Sequence, residues 1–184
     1  MIIGLTGTLA SGKDTAADYL KKKSFSHVSL SDLVRDECDL KGLPKDRDTL
    51  QMVANDLRKK FGSNILAKKA LEKIIKTKSN KILITSIRNP AEIEELKKND
   101  KFFLILIDAP IELRYKRLKI RKRAEDFVSF KKFKIQEKVE MSSKDESNQQ
   151  LNKVFALADF KIINDGTIEE LYQKIEEIFK KING

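Results

Sequence analysis

The sequence has few of the groups that build disulfides, zinc sites and catalytic triads. Its single cysteine, Cys38, excludes a disulfide within the chain, and its single histidine, His27, excludes a histidine-based zinc site or a Ser-His-Asp triad. The apolar run from Phe102 to Ile107 is far shorter than the roughly 20 residues that cross a bilayer as a helix. The first residues lack the basic leader and cleavage site of a secretory signal. We expect a cytoplasmic protein without a membrane partner.

The charge is unbalanced towards the positive. The chain has 38 lysines and arginines against 28 acidic residues, a formal net charge of +10, which favours an anionic partner. Many lysines stand beside glutamates in helix-like patterns, as on solvated faces. No recognisable nucleic-acid motif accompanies the charge, so nucleic-acid binding is only a minor alternative. The composition indicates nothing about the oligomeric state.

The pattern of apolar runs predicts one α/β domain over residues 1–184. Runs of strand length recur between helix-like segments, and they are continuous rather than alternating, which indicates burial on both faces of a parallel sheet. The predicted strands are Ile2 to Thr6, His27 to Leu30, Lys81 to Thr85, Phe102 to Asp108 and Phe160 to Ile163. Two segments interrupt the alternation: an all-helical stretch at about 31–78 and a basic, then polar, stretch at about 116–150. We interpret them as two lobes over a phosphate site.

The segment GTLASGKDT, from Gly7 to Thr15, has the spacing of a phosphate-binding P-loop. It follows the first strand directly and opens a helix, which is the context that a P-loop requires. Backbone N–H groups of such a loop point inward, the helix start adds partial positive charge, and Lys13 reaches the outer phosphates. The sequence therefore predicts that this junction binds the phosphates of a nucleotide.

Asp14 stands where the P-loop pattern usually has serine or threonine. A carboxylate there could hold Mg²⁺ directly or through water, since this ion prefers hard oxygen ligands. Alternatively, the Thr15 hydroxyl takes that role and Asp14 only stabilises the first turn of the helix. We favour the metal role of Asp14 and keep Thr15 as the second candidate ligand.

Charged residues follow the second and third strands, at the edge where parallel sheets present their ligands. Asp32 could orient or deprotonate an acceptor hydroxyl or hold metal, and Arg35 lies one turn further on. Arg88 follows the third strand, and its guanidinium fork suits a phosphate. The plain alternatives are a helix cap for Asp32 and solvent exposure for the arginines.

The segment ELRYKRLKIRKR carries a cluster of arginines. Spacings of three, four and seven put Arg114, Arg117 and Arg121 on one helical face, and Arg123 follows. Such a cluster could close over a migrating phosphoryl group and stabilise its charge. We interpret it as a lid; the alternative is a solvated basic helix.

Several segments together resemble the P-loop nucleotide kinases. The likeness is to the dephospho-CoA kinase-like and deoxynucleoside monophosphate kinase-like branch, including the kinase-like region joined to some deoxycytidylate deaminases. It covers nearly the whole chain and is carried by SGKDT, SLSDLVRDE, IRNPAEIEEL, DAPIELRYKRL and ADFKIINDGTIEEL. GKD in place of GKS or GKT is itself typical of several kinases of phosphorylated small molecules.

The resemblance implies a three-layer P-loop fold with about five parallel strands in the order 2-3-1-4-5, an acceptor-binding lobe and an arginine lid. It also implies roles for named positions. Asp32, Arg35 and Arg88 would face the acceptor, Arg117 and Arg121 would act from the lid, and the turn with Asp165 and Gly166 would lie against the donor base. The donor's phosphates would be held by the loop residues Gly7, Leu9, Ala10, Ser11, Gly12, Lys13, Asp14 and Thr15.

One departure from the resembling chains concerns the end of the third strand. Related chains commonly have Asp-Gly before the Ile-Arg pair, whereas this chain has Thr85 and Ser86. A carboxylate that would hold magnesium through water is absent from that strand. Either Asp14 and Asp32 take over the metal, or catalysis is weak.

The predicted function is transfer of a phosphoryl group from ATP, with Mg²⁺, to a nucleoside or deoxynucleoside monophosphate. Lys13, Asp32, Arg88, Arg117 and Arg121 are the candidate catalytic residues. A first alternative is dephospho-CoA kinase, with Asp32 as the base for a ribose hydroxyl. A second, from another class, is a nucleotide-binding switch or nucleic-acid-associated NTPase without a small acceptor.

Overall fold

The structure, a computed structural model, describes residues 1–75, 79–121, 128–141 and 145–183. Within these ranges the chain forms one five-stranded sheet flanked by helices. No helix in the part of the chain so described is long and apolar enough to cross a membrane. Arg123 and parts of both predicted lobes, at 76–78, 122–127 and 142–144, lie outside it.

The sheet is entirely parallel, and its strand order is 2-3-1-4-5, as predicted. The strands are β1 (Ile2–Thr6), β2 (Ser26–Ser29), β3 (Ile82–Thr85), β4 (Phe102–Asp108) and β5 (Phe160–Ile163). β1 lies in the middle and pairs with both β3 and β4, so that Gly4 is level with Ile84 on one side and Leu104 on the other. The predicted bounds of β1, β4 and β5 are confirmed at both ends, whereas β2 begins and ends one residue before the prediction and β3 begins one residue after it.

Nine helices connect and cover the strands in the described ranges. They are α1 (Lys13–Lys22), α2 (Leu30–Leu40), α3 (Arg47–Phe61), α4 (Ile65–Ile75), α5 (Pro90–Leu96), α6 (Ile111–Arg121), α7 (Phe130–Met141), α8 (Leu151–Ala156) and α9 (Ile168–Asn183). The first predicted lobe corresponds to α2, α3 and α4, which all lie between β2 and β3. The second corresponds to the end of α6 and to α7.

Two apolar clusters, one on each face of the sheet, explain why the strands read as continuous apolar runs. One cluster joins Ile84 and Leu104 to α2, α3, α4 and α5, and the other joins Ile3 and Ile105 to α1 and α9. Successive side chains of a strand point to opposite faces, so burial on both faces requires an apolar residue at every position. The resulting three layers hold the carboxyl ends of the strands in fixed register beneath the helices.

The first turn of α5 is stabilised by a capping box. Asn89 accepts a hydrogen bond from the backbone N–H of Ala91, and the Glu92 carboxylate accepts from the N–H of Asn89, which completes a capping box with Pro90 at the first helical position. Glu92 also accepts from the backbone N–H of Arg88 at 2.8 Å. The cap thereby fixes the backbone of the arginine that follows β3.

Candidate functional site

The loop between β1 and α1 has the backbone of a P-loop. Gly7 has φ +144°, Ala10 +61° and Gly12 +101°, so the chain curls sharply before the helix. A Cβ at Gly7 would lie 1.9 Å from the carbonyl oxygen of Ile107, and one at Gly12 would lie 2.1 Å from Nδ2 of Asn164. Glycine is therefore required at both positions, by backbone conformation and by space. Gly7 packs against β4, whereas residues 9–15 line a cavity.

Lys13 lies at the bottom of this cavity. Its ammonium group donates hydrogen bonds to the backbone oxygen of Thr8 and, at 3.4 Å, to Oγ of Ser11. Burial, helped by the nearby charge of Arg88, lowers the pKa of Lys13 to about 7. Part of the side-chain surface remains accessible from the cavity. An anion entering there would favour the charged form of the lysine.

The cavity has a volume of about 420 Å³, within the range of small-molecule sites. One end is formed by the P-loop, α6 and the turn before α9; the other is formed by α2, α3, α4, the end of β3 and α7. We call these the donor end and the acceptor end. The two ends belong to one continuous space that opens at the carboxyl edge of the sheet.

Arg117 and Arg121 of α6 both lie at the donor end. Arg117 donates a hydrogen bond to the backbone oxygen of Asn164 at 3.0 Å, and burial lowers its pKa. Nη1 of Arg121 lies 3.7 Å from a carboxylate oxygen of Asp14. Both guanidinium groups line the cavity beside Lys13.

The turn before α9 closes the donor end. The side chain of Asn164 donates to the backbone oxygen of Ser11 at 2.8 Å, which ties the turn to the P-loop. Gly166 lines the cavity together with Thr167 and Ile168. Asp165 is exposed, and its carboxylate lies 3.5 Å from Nζ of Lys174. The turn therefore contacts the site through Gly166 rather than through Asp165.

Asp14 and Thr15 both line the cavity at the start of α1. The side chain of Asp14 is 68% exposed, so its carboxylate faces the open space. The described ranges contain no cluster of three or more potential metal ligands. This donor set fits Mg²⁺, which keeps several waters and needs one or two protein oxygens beside the phosphates.

The acceptor end contains an ion-pair cluster that joins three parts of the chain. Nε and Nη2 of Arg47 donate to Oε1 of Glu140 at 3.0 and 2.7 Å, and Nη1 of Arg88 lies 3.5 Å from Oε2 of Glu140. Arg88 also donates to the side-chain oxygen of Gln149 at 2.9 Å. Burial lowers the pKa of Arg88, and Glu140 opposes that shift.

Arg58 and Glu92 form the floor of the acceptor end. Their side chains are 1% and 0% exposed, and the guanidinium donates twice to Oε1 of Glu92, at 3.2 and 2.9 Å. Oε2 of Glu92 accepts the backbone N–H groups of Arg88 and Asn89. Every oxygen of this carboxylate is thus hydrogen-bonded, which a buried charge requires.

Asp32 and Arg35 lie on α2 at the border between the cavity and a neighbouring cleft. Asp32 lines that cleft, not the cavity, and its side chain is 64% exposed and 3.5 Å from Nη1 of Arg35. Arg35 lines both spaces and donates to Oγ of Ser31 at 3.0 Å. The acceptor end thus contains Arg35 and Arg88 from the predicted set, while Asp32 lies beside it.

Thr85, the last residue of β3, and Ser86, which follows it, have distinct environments. Thr85 is hydrogen-bonded through its hydroxyl to Nε2 of His27 at 2.9 Å, and burial lowers the pKa of that histidine. Ser86 has φ +65°, a left-handed conformation that glycine adopts without strain. The backbone therefore retains the conformation that favours glycine, although the side chain here is serine.

Arg114 differs from the other arginines of α6 because it is structural. It is buried, it donates to the backbone oxygen of Ala109 at 2.7 Å, and its terminal nitrogens donate to the carboxylate of Glu137. Phe133 packs against its guanidinium, with 5.7 Å between the carbon of that group and the ring centroid. Arg114 therefore holds α7 against α6.

The sequence reasoning missed Arg47, Glu140 and Gln149. Arg47 follows the helix cap Asp46 and resembles any charged residue of a first turn. Glu140 shares a helical face with Phe133 and Glu137, at steps of four and three, but apolar periodicity does not mark that face as the inner one.

Comparison with known proteins identifies relatives along the whole chain. A family model described as an AAA domain matches residues 3–141. A UPF0200/UPF0201 protein of Archaeoglobus fulgidus is 34% identical over 185 residues, which cover 98% of this chain and 55% of that protein. The chain thus spans about half the length of that relative. A UPF0200 protein of Pyrococcus abyssi is 32% identical over 188 residues, covering 99% of this chain and 97% of that protein.

Solved structures share the fold. TT1252 from Thermus thermophilus superposes with a TM-score of 0.68 at 17% identity, over 100% of this chain and 98% of that one. A shikimate kinase from Bacteroides thetaiotaomicron gives 0.61 at 13% identity, over 98% of both chains. A dephospho-CoA kinase from Campylobacter jejuni gives 0.51 at 20% identity, over 98% and 96%.

These similarities agree with the parallel sheet, the strand order and the flanking helices described above. The match of the family model covers both the P-loop and the acceptor end as far as α7. The chain therefore has the fold of the P-loop kinases, and it belongs to the family described as an AAA domain and to the UPF0200 proteins.

Proposed function

We propose that the protein transfers a phosphoryl group from ATP to a nucleoside or deoxynucleoside monophosphate. One observation carries the proposal: a single cavity has a P-loop at one end and the guanidinium groups of Arg47 and Arg88 at the other. A site that only hydrolysed a nucleotide would need the first feature alone. Two anion-binding ends facing one another suit transfer between two phosphates.

At the donor end, the P-loop amides and Lys13 would hold the donor's phosphates. Arg117 and Arg121 would neutralise the charge that develops on the migrating group. Asp14, with Thr15 as second candidate, would hold Mg²⁺, which when bound neutralises phosphate charge and orients the donor. Lys13 would become fully charged beside the phosphates. It would then donate its hydrogen bonds to them instead of to the backbone oxygen of Thr8.

At the acceptor end, Arg88 and Arg47 would bind the acceptor's phosphate, and Arg35 lies close enough to the cavity to assist. Leu30, Val34 and Leu50 form apolar walls that suit a nucleobase. The helices of both lobes would exclude water from the reacting groups, which limits wasteful hydrolysis.

A dephospho-CoA kinase would need a base for the acceptor hydroxyl, and Asp32 was the candidate. Its exposed position in the neighbouring cleft, paired with Arg35, favours the monophosphate acceptor instead. An acceptor that attacks through a phosphate oxygen needs guanidinium groups more than a base, because that oxygen is already ionised, whereas a ribose hydroxyl must lose a proton.

The test is an acceptor panel in which ADP release from Mg-ATP is measured. The panel contains the ribonucleoside and deoxyribonucleoside monophosphates, dephospho-CoA, single-stranded RNA and no acceptor. We expect stimulation by at least one monophosphate. Stimulation by dephospho-CoA alone, by RNA alone, or by nothing above the acceptor-free rate would contradict the proposal.

The same panel includes a matched pair of lysine variants on α1. Lys13→Ala removes the cavity lysine and should abolish ADP release. Lys22→Ala removes an exposed lysine from the last turn of the same helix and should leave the rate unchanged. Equal rates in the two variants would remove the P-loop from the mechanism.

A further inference from the structure

We infer that the Glu140 carboxylate occupies the position that the acceptor's phosphate takes when it binds. Only a doubly charged acceptor group then displaces this carboxylate efficiently. The inference rests on the proposed function, because it assigns the acceptor end to a phosphate. It adds that the acceptor group must carry two negative charges. It also predicts that α7 moves when Glu140 is displaced.

The contacts of Glu140 are those of a bound anion. Arg47 donates to Oε1 through two nitrogens, and Arg88 approaches Oε2 at 3.5 Å, so one carboxylate bridges two guanidinium groups. The Glu140 side chain is only 5% exposed although it lines the cavity. A phosphate reaching both arginines would need the space that this carboxylate occupies.

Charge determines which ligand wins this competition. Arg47 and Arg88 together carry two positive charges, and Glu140 supplies a single negative charge. A phosphate monoester near neutral pH carries close to two negative charges and so gains attraction when it replaces the carboxylate. A ligand with a single carboxylate exchanges one charge for an equal one and gains nothing. The site should therefore select dianions over monoanions.

The packing of α7 allows the carboxylate to leave. Phe133 is the buried apolar residue of this helix, while Ile135 and Val139 are 55% and 56% exposed. The other inward contacts include the packing of Phe130 on the Tyr115 ring, a hydrogen bond from Arg47 to Gln136 at 3.2 Å, and the ion pairs of Glu137 with Arg114 and of Glu140 with Arg47. Withdrawing Glu140 breaks an ion pair that the ligand replaces, rather than a layer of apolar contacts.

Calorimetric titration with inorganic phosphate tests the competition directly. The full chain is first saturated with Mg²⁺ and a non-hydrolysable ATP analogue, so that the P-loop is filled before phosphate is added. Glu140→Gln keeps the size of the side chain and removes its charge. We expect it to bind phosphate about tenfold more tightly than wild type, a difference of roughly 1.4 kcal/mol.

Two controls accompany the titration. Glu112→Gln makes the same change of net charge on the exposed side of α6 and should leave the phosphate affinity unchanged. Acetate, as a monoanion, should bind wild type far more weakly than phosphate does. In Glu140→Gln acetate should also bind more tightly than it does to wild type, because neither ligand then meets a competitor.

A second readout keeps Glu140 intact. The chain has no tryptophan, so Ile135→Trp places a single indole on the exposed face of α7. Phosphate, but not acetate, should shift its emission as α7 moves. This measurement remains decisive if Glu140→Gln does not fold.

Each failure has its own meaning. If the ATP analogue does not bind, the proposed function fails. A different failure is that the analogue binds normally while Glu140→Gln gains no phosphate affinity, or while phosphate leaves the indole emission unchanged. In either case the carboxylate is only a fixed partner of the arginines, and this inference is overturned.

Discussion

The donor end and the acceptor end of the cavity bind charge by different means. The centre of the donor end is one contiguous segment, the P-loop, whose positive character comes from backbone N–H groups, a helix start and Lys13, and α6 adds Arg117 and Arg121. The acceptor end is built from side chains of α3, β3, α7 and the segment before α8, and its arginines already contact a carboxylate. A backbone cradle is rigid and always positive, whereas a side-chain cluster can be switched by exchanging its anion.

The largest effect should come from damaging the rigid end. Gly12→Ala forces alanine to φ +101° and puts its Cβ against Asn164, which costs more than the roughly 1 to 3 kcal/mol of backbone strain alone. We expect ADP affinity to fall about 10- to 100-fold, measured by calorimetry.

Gly42→Ala is the matched control, because Gly42 has φ +63° and nothing within 4 Å of its added Cβ. It should lose roughly 1 to 2 kcal/mol of folding free energy in urea and leave ADP affinity intact. If both variants bind ADP alike, the space beside Asn164 is irrelevant.

The next effect concerns the acceptor end alone. Arg88→Lys keeps the charge but loses the fork that contacts Gln149 and faces Glu140. We expect the KM of the acceptor to rise about tenfold, the loss of one charge-assisted hydrogen bond, and the KM of ATP to stay within about twofold. Steady-state kinetics with each substrate varied in turn would show it; a parallel rise of both constants would mean that the ends are not separate.

A smaller effect should be the uptake of protons when ADP binds at the donor end. Because the pKa of Lys13 is lowered to about 7, the lysine is mostly neutral at pH 8 and mostly charged at pH 6. Phosphates favour the charged form, so ADP binding should take up part of a proton at pH 8 and almost none through this group at pH 6. Calorimetry in buffers of different ionisation enthalpy measures the uptake.

Lys13→Arg is the control for that uptake, since arginine stays charged at both pH values. The variant should lose the difference between pH 8 and pH 6 that wild type shows. An unchanged difference would assign the proton to another group, such as the phosphate of ADP itself.

The smallest effect should be a change in folding stability on substitution of Ser86, which lies between the two ends of the cavity. Ser86→Gly relieves a left-handed backbone at φ +65° but makes the unfolded chain more flexible, so the two terms nearly cancel. We expect the free energy of unfolding to change by less than about 1 kcal/mol in urea denaturation.

Ser24→Gly relieves the same left-handed backbone strain far from the cavity, because Ser24 has φ +68°. The two changes in stability should agree. A clear loss in Ser86→Gly alone would show that the Ser86 hydroxyl, 3.4 Å from that of Ser31, supports the acceptor end.

The fold and the donor end were predictable because their signals are local. Each strand is a short apolar run. The P-loop is nine consecutive positions, and its glycines stand where the backbone has a positive φ. The parallel order followed from the resemblance to kinases and is confirmed by the register of β1 with β3 and β4. Arg117 and Arg121 could be assigned to one face by helical spacing.

The acceptor end was only partly predictable because its contacts are distant in sequence. Arg47 and Glu140 are 93 residues apart, and neither stands in a recognisable motif. The periodicity rule also misleads on α7, where Glu137 and Glu140 point inward and Ile135 points outward. Apolar periodicity predicts an apolar inner face, so a helix held by ion pairs is assigned the wrong orientation.

The buried pair of Arg58 and Glu92 beneath the acceptor end has a consequence for temperature. Burying charges costs free energy at room temperature, but this cost falls on heating, because the hydration of ions becomes less favourable. Apolar contacts do not gain in the same way. The floor that fixes Arg88 should therefore keep its geometry in the heat better than an apolar floor of equal size.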